Sequence, residues 1–295
     1  MDHKNFVAAL PRDTLAALNE TEDVPGLWHL AGHLAVIVVF GLWITQGWAA
    51  WPVALVGQGI AICFLFTLEH EATHKTPFRS VWLNEWVGRS AGLLLVLPFE
   101  WFRYFHLAHH RFTNIPGKDP ELGPGGKPET RMAYLIHVSG LPYWAGMIRQ
   151  LVGNAIGRDP GDYVPEMARG RVRREARVML ALYGLAVLSL LVTPVLVWVW
   201  LLPCLLGQPF LRLYLLAEHG RCAFVANMFE NTRTTFTNRI VRFLAWNMPY
   251  HTEHHTLPQV PFHKLPMLHA QMRDHLGVTA EGYAEFTAQY ASHLR

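Results

Sequence analysis

VPGLWHLAGHLAVIVVFGLWITQGWAAWPVALVGQGIAICFLFTL, residues Val24 to Leu68, runs for 45 positions without one Asp, Glu, Lys or Arg. As helix it would be about 67 Å long, two passes of a hydrocarbon core roughly 30 Å thick. It therefore reads as a helical hairpin. Leu27–Ile44 is the first span and Ala54–Leu68 the core of the second, with Gly47, Trp48, Trp51 and Pro52 marking an interfacial turn. A second uncharged run, Val178–Leu211, has Thr193 and Pro194 near its middle. It is slightly short for two spans unless Arg177 and Arg212 snorkel, so the second hairpin is expected over Ala176–Ala217. Trp82–Trp101 and Met132–Ile156 are apolar but interrupted by Glu85, Arg89, His137 and Arg149, which suits interfacial helices.

Composition agrees with a membrane protein. Hydrophobic residues make up 51% and charged residues 16%, against about 25% charged in an average soluble domain. The fold class expected is all-α and integral to the membrane, with two transmembrane hairpins (four spans), interfacial helices and a cytoplasmic histidine-rich cap. Residues 1–295 form one domain: an N-terminal segment 1–26, a first hairpin 27–68, an interfacial region 69–175, a second hairpin 176–217 and a cap 218–295. Lys75–Arg177 contains fifteen Lys and Arg and neither hairpin turn contains any, so that segment and both termini are expected in the cytoplasm. Gly117–Pro128 (GKDPELGPGGKP) reads as a loop and Arg169–Arg177 as a basic helix start at lipid headgroups. Met1–Glu22 is polar and has no apolar signal-peptide core. A net charge of +3 without any recognisable motif points away from nucleic acid. The three cysteines, Cys63, Cys204 and Cys222, are too far apart to form a thiolate metal motif.

The chemistry is carried by histidine, of which there are 17. Three clusters stand out: His70-Glu71-Ala72-Thr73-His74, His106-Leu107-Ala108-His109-His110 and His251-Thr252-Glu253-His254-His255. On a helix, i, i+3 and i+4 share one side, so each HxxHH cluster is expected to turn three imidazoles to a common point. His3, His29, His33, His137, His263, His269, His275 and His293 read as surface or hydrogen-bonding residues. Eight clustered imidazoles exceed the ligand set of one ion and suit two transition metals. Glu71, Asp119, Glu121 and Glu253 lie near the clusters in sequence and are candidates to orient imidazoles by hydrogen bonds.

HEATH, HLAHH and HTEHH, in this order around two hydrophobic hairpins, resemble the three histidine boxes of the membrane fatty acid desaturase and hydroxylase superfamily. The match extends from about Leu27 to His269. It includes Asn247-Met248-Pro249-Tyr250 before the third box and Leu257-Pro258-Gln259-Val260-Pro261-Phe262 after it. The short chain is also similar to carotenoid hydroxylases and ketolases, and the boxes do not separate these branches. The resemblance implies two non-haem iron ions, O₂ as co-substrate, and desaturation or hydroxylation of an unactivated C–H bond of a lipid-like substrate. It implies as metal ligands His70, His74, His106, His109, His110, His251, His254 and His255. It also implies a ninth, His219, which directly follows the last span at the depth of His70. Some acyl desaturases have an Asn four residues before that histidine, where this chain has Leu215; Asn247 is a weaker substitute. No HPGG sequence is present, so electrons are expected from a separate donor of ferredoxin, rubredoxin or cytochrome b5 type.

Two other readings are set beside this one. HEATH matches the HExxH zinc protease motif, with Glu71 as general base, but that leaves both HxxHH clusters unexplained. A histidine-rich metal transporter or sensor would place its ligands within the spans, near the midplane, whereas these clusters fall beyond the span ends.

Overall fold

The computed structural model of the chain describes residues 2–123 and 126–295; Met1, and Pro124 and Gly125 at the tip of the expected 117–128 loop, lie outside the described residues. Two short helices, α1 (His3–Ala9) and α2 (Arg12–Asn19), lead into α3 (Asp23–Thr45), a turn with Gly47 and Ala50 in left-handed conformations, α4 (Trp51–Cys63) and α5 (Leu65–His74). This is the first hairpin, ending on the first histidine cluster. Then follow α6 (Val81–Leu95), α7 (Phe99–Phe112), α8 (Arg131–Val138), α9 (Leu141–Ile156) and α10 (Glu166–Ser189). A π-helical turn, Val197–Leu201, runs directly into α11 (Leu202–His219). The cap consists of α12 (Met228–Asn231), α13 (Arg239–Leu244), α14 (His251–Thr256), α15 (Leu265–Met272) and α16 (Tyr283–Ser292). One departure from the all-α expectation is a two-residue parallel ladder, β1 (Thr234–Thr235) with β2 (Thr279–Ala280), which pins the cap's two halves together.

Three helical segments are long and apolar enough to cross a membrane: Asp23–Thr45, Trp51–His74 and Val197–His219. The fourth expected span differs for a physical reason. α10 begins at Glu166, so its first half is the basic stretch containing Arg169, Arg171, Arg173, Arg174 and Arg177, and only Val178–Ser189 is uncharged. Arg177 is tied down by Nε donating to the Ala155 carbonyl at 2.9 Å.

The helices that carry His70 and His219 approach each other most closely at one backbone contact. α4 and α11 cross at Gly59 and Gly207 so closely that a Cβ on Gly59 would lie 1.9 Å from the Pro203 carbonyl oxygen, and one on Gly207 would lie 2.1 Å from the Gly59 carbonyl carbon. Small residues permit such approach where lipid supplies no hydrophobic drive between helices. His70 is eleven residues beyond Gly59 and His219 twelve beyond Gly207; at 1.5 Å per residue both emerge roughly 17 Å past the crossing. Nearby, the Gln58 amide donates to the Val199 carbonyl at 2.9 Å, satisfying an acceptor in the π-helical turn.

The other ligand-bearing helices are anchored by polar contacts. The α7 N-terminus is capped from α10, because Glu175 accepts the Glu100 N–H at 2.7 Å. The Glu100 carboxylate, 1% exposed, takes Arg171 at 2.7 Å, Arg89 at 3.0 Å and Arg103 at 3.5 Å. A buried carboxylate this well paired fixes where α7 starts. α14 is aimed by the turn before it, where Trp246 and Asn247 are both left-handed, a strained pairing that persists only when its surroundings hold it. They do: buried Trp246 donates to His33 Nδ1 at 3.1 Å, which leaves His33 Nε2–H to donate to the Ala61 carbonyl at 2.8 Å.

Candidate metal centre

The nine histidines implied above come together between α5, α7, the end of α11 and α14. They sort into two groups. His70, His74, His106, His110 and His254 turn ring nitrogens to one point, and His109, His219 and His255 to a second. In the first group the Nε2 atoms of His70 and His254 are 2.7 Å apart, those of His74 and His106 2.9 Å, and those of His254 and His110 3.2 Å. In the second, His219 Nε2 lies 3.2 Å from His109 Nε2 and 3.1 Å from His251 Nε2, which places His251 beside this group. The expectation that each HxxHH cluster serves a single point is corrected. α7 sends His106 and His110, one turn apart, to the first group and His109 to the second. α14 likewise divides His254 from His251 and His255. Each of these two helices thus braces both groups.

The Nδ1 atoms show which nitrogens are left for a metal. His219 Nδ1–H donates to the Asn231 carbonyl at 3.1 Å, and His109 Nδ1–H donates to Asp119 at 2.9 and 3.0 Å. The Thr113 hydroxyl donates to the His109 carbonyl at 2.9 Å, so its oxygen is free to accept His255 Nδ1–H at 3.1 Å. With Nδ1 protonated, each Nε2 carries a lone pair, and the lone pairs converge without a donor between them. Imidazoles held this way are oriented as metal ligation through Nε2 requires. Burial and the neighbouring histidines push His106, His110, His251, His254 and His255 well below the usual imidazole range, so all are neutral donors. His109 is the exception. Burial would lower it, but Glu121 and Asp119 outweigh burial and raise it, which marks a negative potential where a cation would sit. The donor set fits two transition-metal ions rich in imidazole.

The oxygen donors are only partly those expected. Asp119 does hold His109. Glu71 accepts from the Thr76 hydroxyl and reaches no box imidazole among the described residues. That orientation also removes the general base from the HExxH reading, while His70 and His74 join three further imidazoles. Buried Glu253 accepts from Thr234 at 2.6 Å and bonds His269 Nδ1 at 2.5 Å, fastening α14 to β1 and α15. Asn247 donates to the Phe262 carbonyl at 3.0 Å. Glu218 was not anticipated: its carboxylate lies 3.4 Å from His251 Nδ1, and the only sign of it in the sequence is its place next to His219. Glu121 approaches His109 Nε2 to 3.5 Å while Lys127 donates to its other oxygen at 2.9 Å.

A cavity of about 280 Å³ is lined by His70, His106, His109 and His251. Phe66, Leu97, Trp101, Phe102, Phe105 and Met147 form an apolar wall, and Glu121, Lys127, His137, Tyr143, Arg212 and Glu218 a polar one. The apolar wall is what an acyl chain requires. Arg212, which the sequence would let snorkel, lines this cavity with its guanidinium 4.5 Å over the Tyr143 ring.

The fatty acid desaturase family model matches residues 46–287. The chain is 35% identical over 101 residues to an sn-1 oleoyl-lipid 12-desaturase of Arthrospira platensis, an alignment covering 33% of this chain and 29% of that protein. It is 22% identical to a protein of the same name from Synechocystis sp., over 78% of this chain and 70% of the relative. A chloroplastic omega-6 fatty acid desaturase of Glycine max is 22% identical over 93% of this chain and 68% of its own length. With the three histidine boxes, the helices that carry them and a match over most of its length, the chain belongs to the fatty acid desaturase family.

Proposed function

We propose that the protein is a membrane-bound di-iron fatty-acyl desaturase. The observation that carries this reading is the convergence of two sets of imidazole nitrogens beside a cavity lined by Phe66, Trp101, Phe102 and Phe105. His70, His74, His106, His110 and His254 would hold one iron; His109, His219, His255 and the adjacent His251 would hold the other. Bound there, the irons supply oxidation of a C–H bond by O₂ with two electrons from a separate donor of ferredoxin, rubredoxin or cytochrome b5 type. The protein's own part is positional. The Asp119 carboxylate and the Asn231 carbonyl fix the tautomers of His109 and His219. Phe66, Phe102 and Phe105 exclude water and set the depth of the chain. The names of the relatives support an acyl chain as substrate and favour desaturation over a carotenoid hydroxylase or ketolase activity. Mass analysis of lipids from cells expressing the protein with a reducing system tests this: loss of two hydrogens from an acyl chain is expected, and gain of one oxygen instead would make it a hydroxylase.

The reading carries a topology. α10, with its apolar half and the 190–194 turn, completes a fourth crossing, and the basic 75–177 region, the cap 218–295 and both termini lie in the cytoplasm. Single cysteines test it. Gly47→Cys should react with an impermeant maleimide added outside, and Gly123→Cys should not; labelling at position 123 from outside overturns this topology.

A further inference from the structure

The polar wall of the cavity holds a cation that the metal centre does not account for. Arg212 lies seven residues before His219 on α11, two turns or roughly 10 Å membrane-ward of it and on the same side of the helix. Its Nε donates to the neutral Gln208 Oε1 at 3.2 Å. Neither terminal nitrogen makes a hydrogen bond, and no carboxylate oxygen lies within 4.0 Å, among the described residues. The other cations around the centre are answered: Lys127 by Glu121 at 2.9 Å, and Arg89, Arg103 and Arg171 by Glu100. The guanidinium is also held in place, since the Tyr143 ring beneath it is fixed by its hydroxyl donating to the Leu95 carbonyl at 2.9 Å. An ionised side chain on an apolar helix of membrane-spanning length, turned to a cavity, has a partner or a function. A planar guanidinium with spare, pre-oriented donors is built to take the two oxygens of an oxyanion.

We propose that Arg212 is a specificity-determining residue that binds an oxyanion at one end of the substrate, so that the cavity takes an acyl chain ending in a carboxylate or phosphate in preference to a neutral ester. The proposal rests on the desaturase reading for the chain part of the ligand. Its polar part rests on Arg212 alone. Arg212 lines the same cavity as His70 and His106, so anchoring the anion there would set which carbon reaches the centre. The matching relatives named for an oleoyl-lipid substrate act on a chain whose carboxyl is already esterified, and this chain would differ from them in what it recognises at that end.

The test is equilibrium binding to the purified, metal-loaded protein in non-ionic detergent, which needs no turnover. Two probe pairs are used: oleate against methyl oleate, and dioleoyl phosphatidate against dioleoylglycerol. In the wild type one anionic probe should bind roughly 10- to 100-fold more tightly than its neutral partner, the range for charge-assisted hydrogen bonds. Preference in the first pair identifies a free carboxylate, in the second a phosphate headgroup. Arg212→Gln should lose that preference while retaining the affinity for the neutral probe. If Arg212→Gln binds neither probe, Arg212→Lys is measured instead. It keeps the charge and loses the fork, and a preference cut several-fold supports the proposal. Equal binding within both pairs in the wild type, or an unchanged preference in the variant, overturns it. Failure to desaturate any lipid would sink the desaturase reading and leave an Arg212-dependent anion preference standing, so the two failures are separable.

Discussion

Changing His109, His219 or His255 to alanine is expected to abolish turnover and to take bound metal from two ions per chain to about one, with the protein still inserted in the membrane. These three imidazoles define the second group, and none of them lies in the spans' hydrophobic clusters. Losing one hydrogen bond to a metal ligand already costs about 10- to 100-fold, so losing the ligand should exceed that. The five-imidazole group is left whole, which is why one ion should remain. His70→Ala is the complementary case. It removes one of five ligands from the first group, and turnover should fall as far because the two ions act as a unit. Iron analysis of the purified variants beside their activity decides the matter. Any variant that keeps two irons and normal turnover removes its histidine from the ligand set, and for His219 that outcome would leave a centre of eight.

How much of this centre was legible in the sequence follows from what spacing can encode. Histidines at i, i+3 and i+4 announce a shared helix face, and all eight box histidines do meet. Spacing does not tell whether one face serves one metal or two. A helix lying across both groups sends His106 and His110 one way and His109 the other, because i+3 and i+4 fall on either side of the line to i. His219 was legible through depth: a histidine directly after a span must emerge level with one directly after another span that it crosses at a glycine contact. Asn231, Thr113 and Glu218 were not legible. Each reaches the centre through tertiary folding alone, and Asn231 does so with a backbone carbonyl that carries no sequence signal at all.

The misplaced oxygen donors and the shortened span have related causes. Glu71 and Glu253 sit inside the boxes, but the box positions between histidines face away from the imidazoles on the same helix. Their carboxylates are therefore drawn to Thr76, Thr234 and His269. Asp119, in a loop and free of helical direction, can turn to His109. Hydropathy located the hairpin of α3 and α4 within a few residues, because Asp23 at the very start of α3 is the only charged residue in either helix. The basic helix start expected at Arg169 is found three residues earlier, at Glu166, since helix propensity of Arg and Glu is as good as that of Leu; hydropathy could not show that this basic half and the uncharged 178–189 half form one helix. Arg212 is the instructive failure. Sequence alone assigns an arginine at a span end to the headgroups, and only tertiary structure shows the Tyr143 ring and the Gln208 side chain holding it at the cavity.

Gly59→Leu should unfold the centre more completely than any ligand change, giving a protein that retains neither metal. A Cβ at position 59 meets the Pro203 carbonyl oxygen at 1.9 Å. That atom belongs to the backbone of α11 and cannot swing away like a side chain, so α4 and α11 must separate. Overpacking a well-fitted core costs about 1–3 kcal/mol when side chains can adjust, and here the whole helix must move. His70 and His219 lie roughly 17 Å further along these two helices, so even a small change in crossing angle is magnified where each must join its own group. A single-turn ligand cluster tolerates displacements of well under 1 Å. Gly41→Ala is the control, since a Cβ there finds only the Gln58 amide at 3.7 Å, an ordinary contact. In detergent, Gly41→Ala should match the wild type in melting temperature and hold two metals, whereas Gly59→Leu should melt lower and hold none. Two tightly bound metals in Gly59→Leu would mean that the loops and cap, rather than the glycine crossing, determine the geometry of the centre.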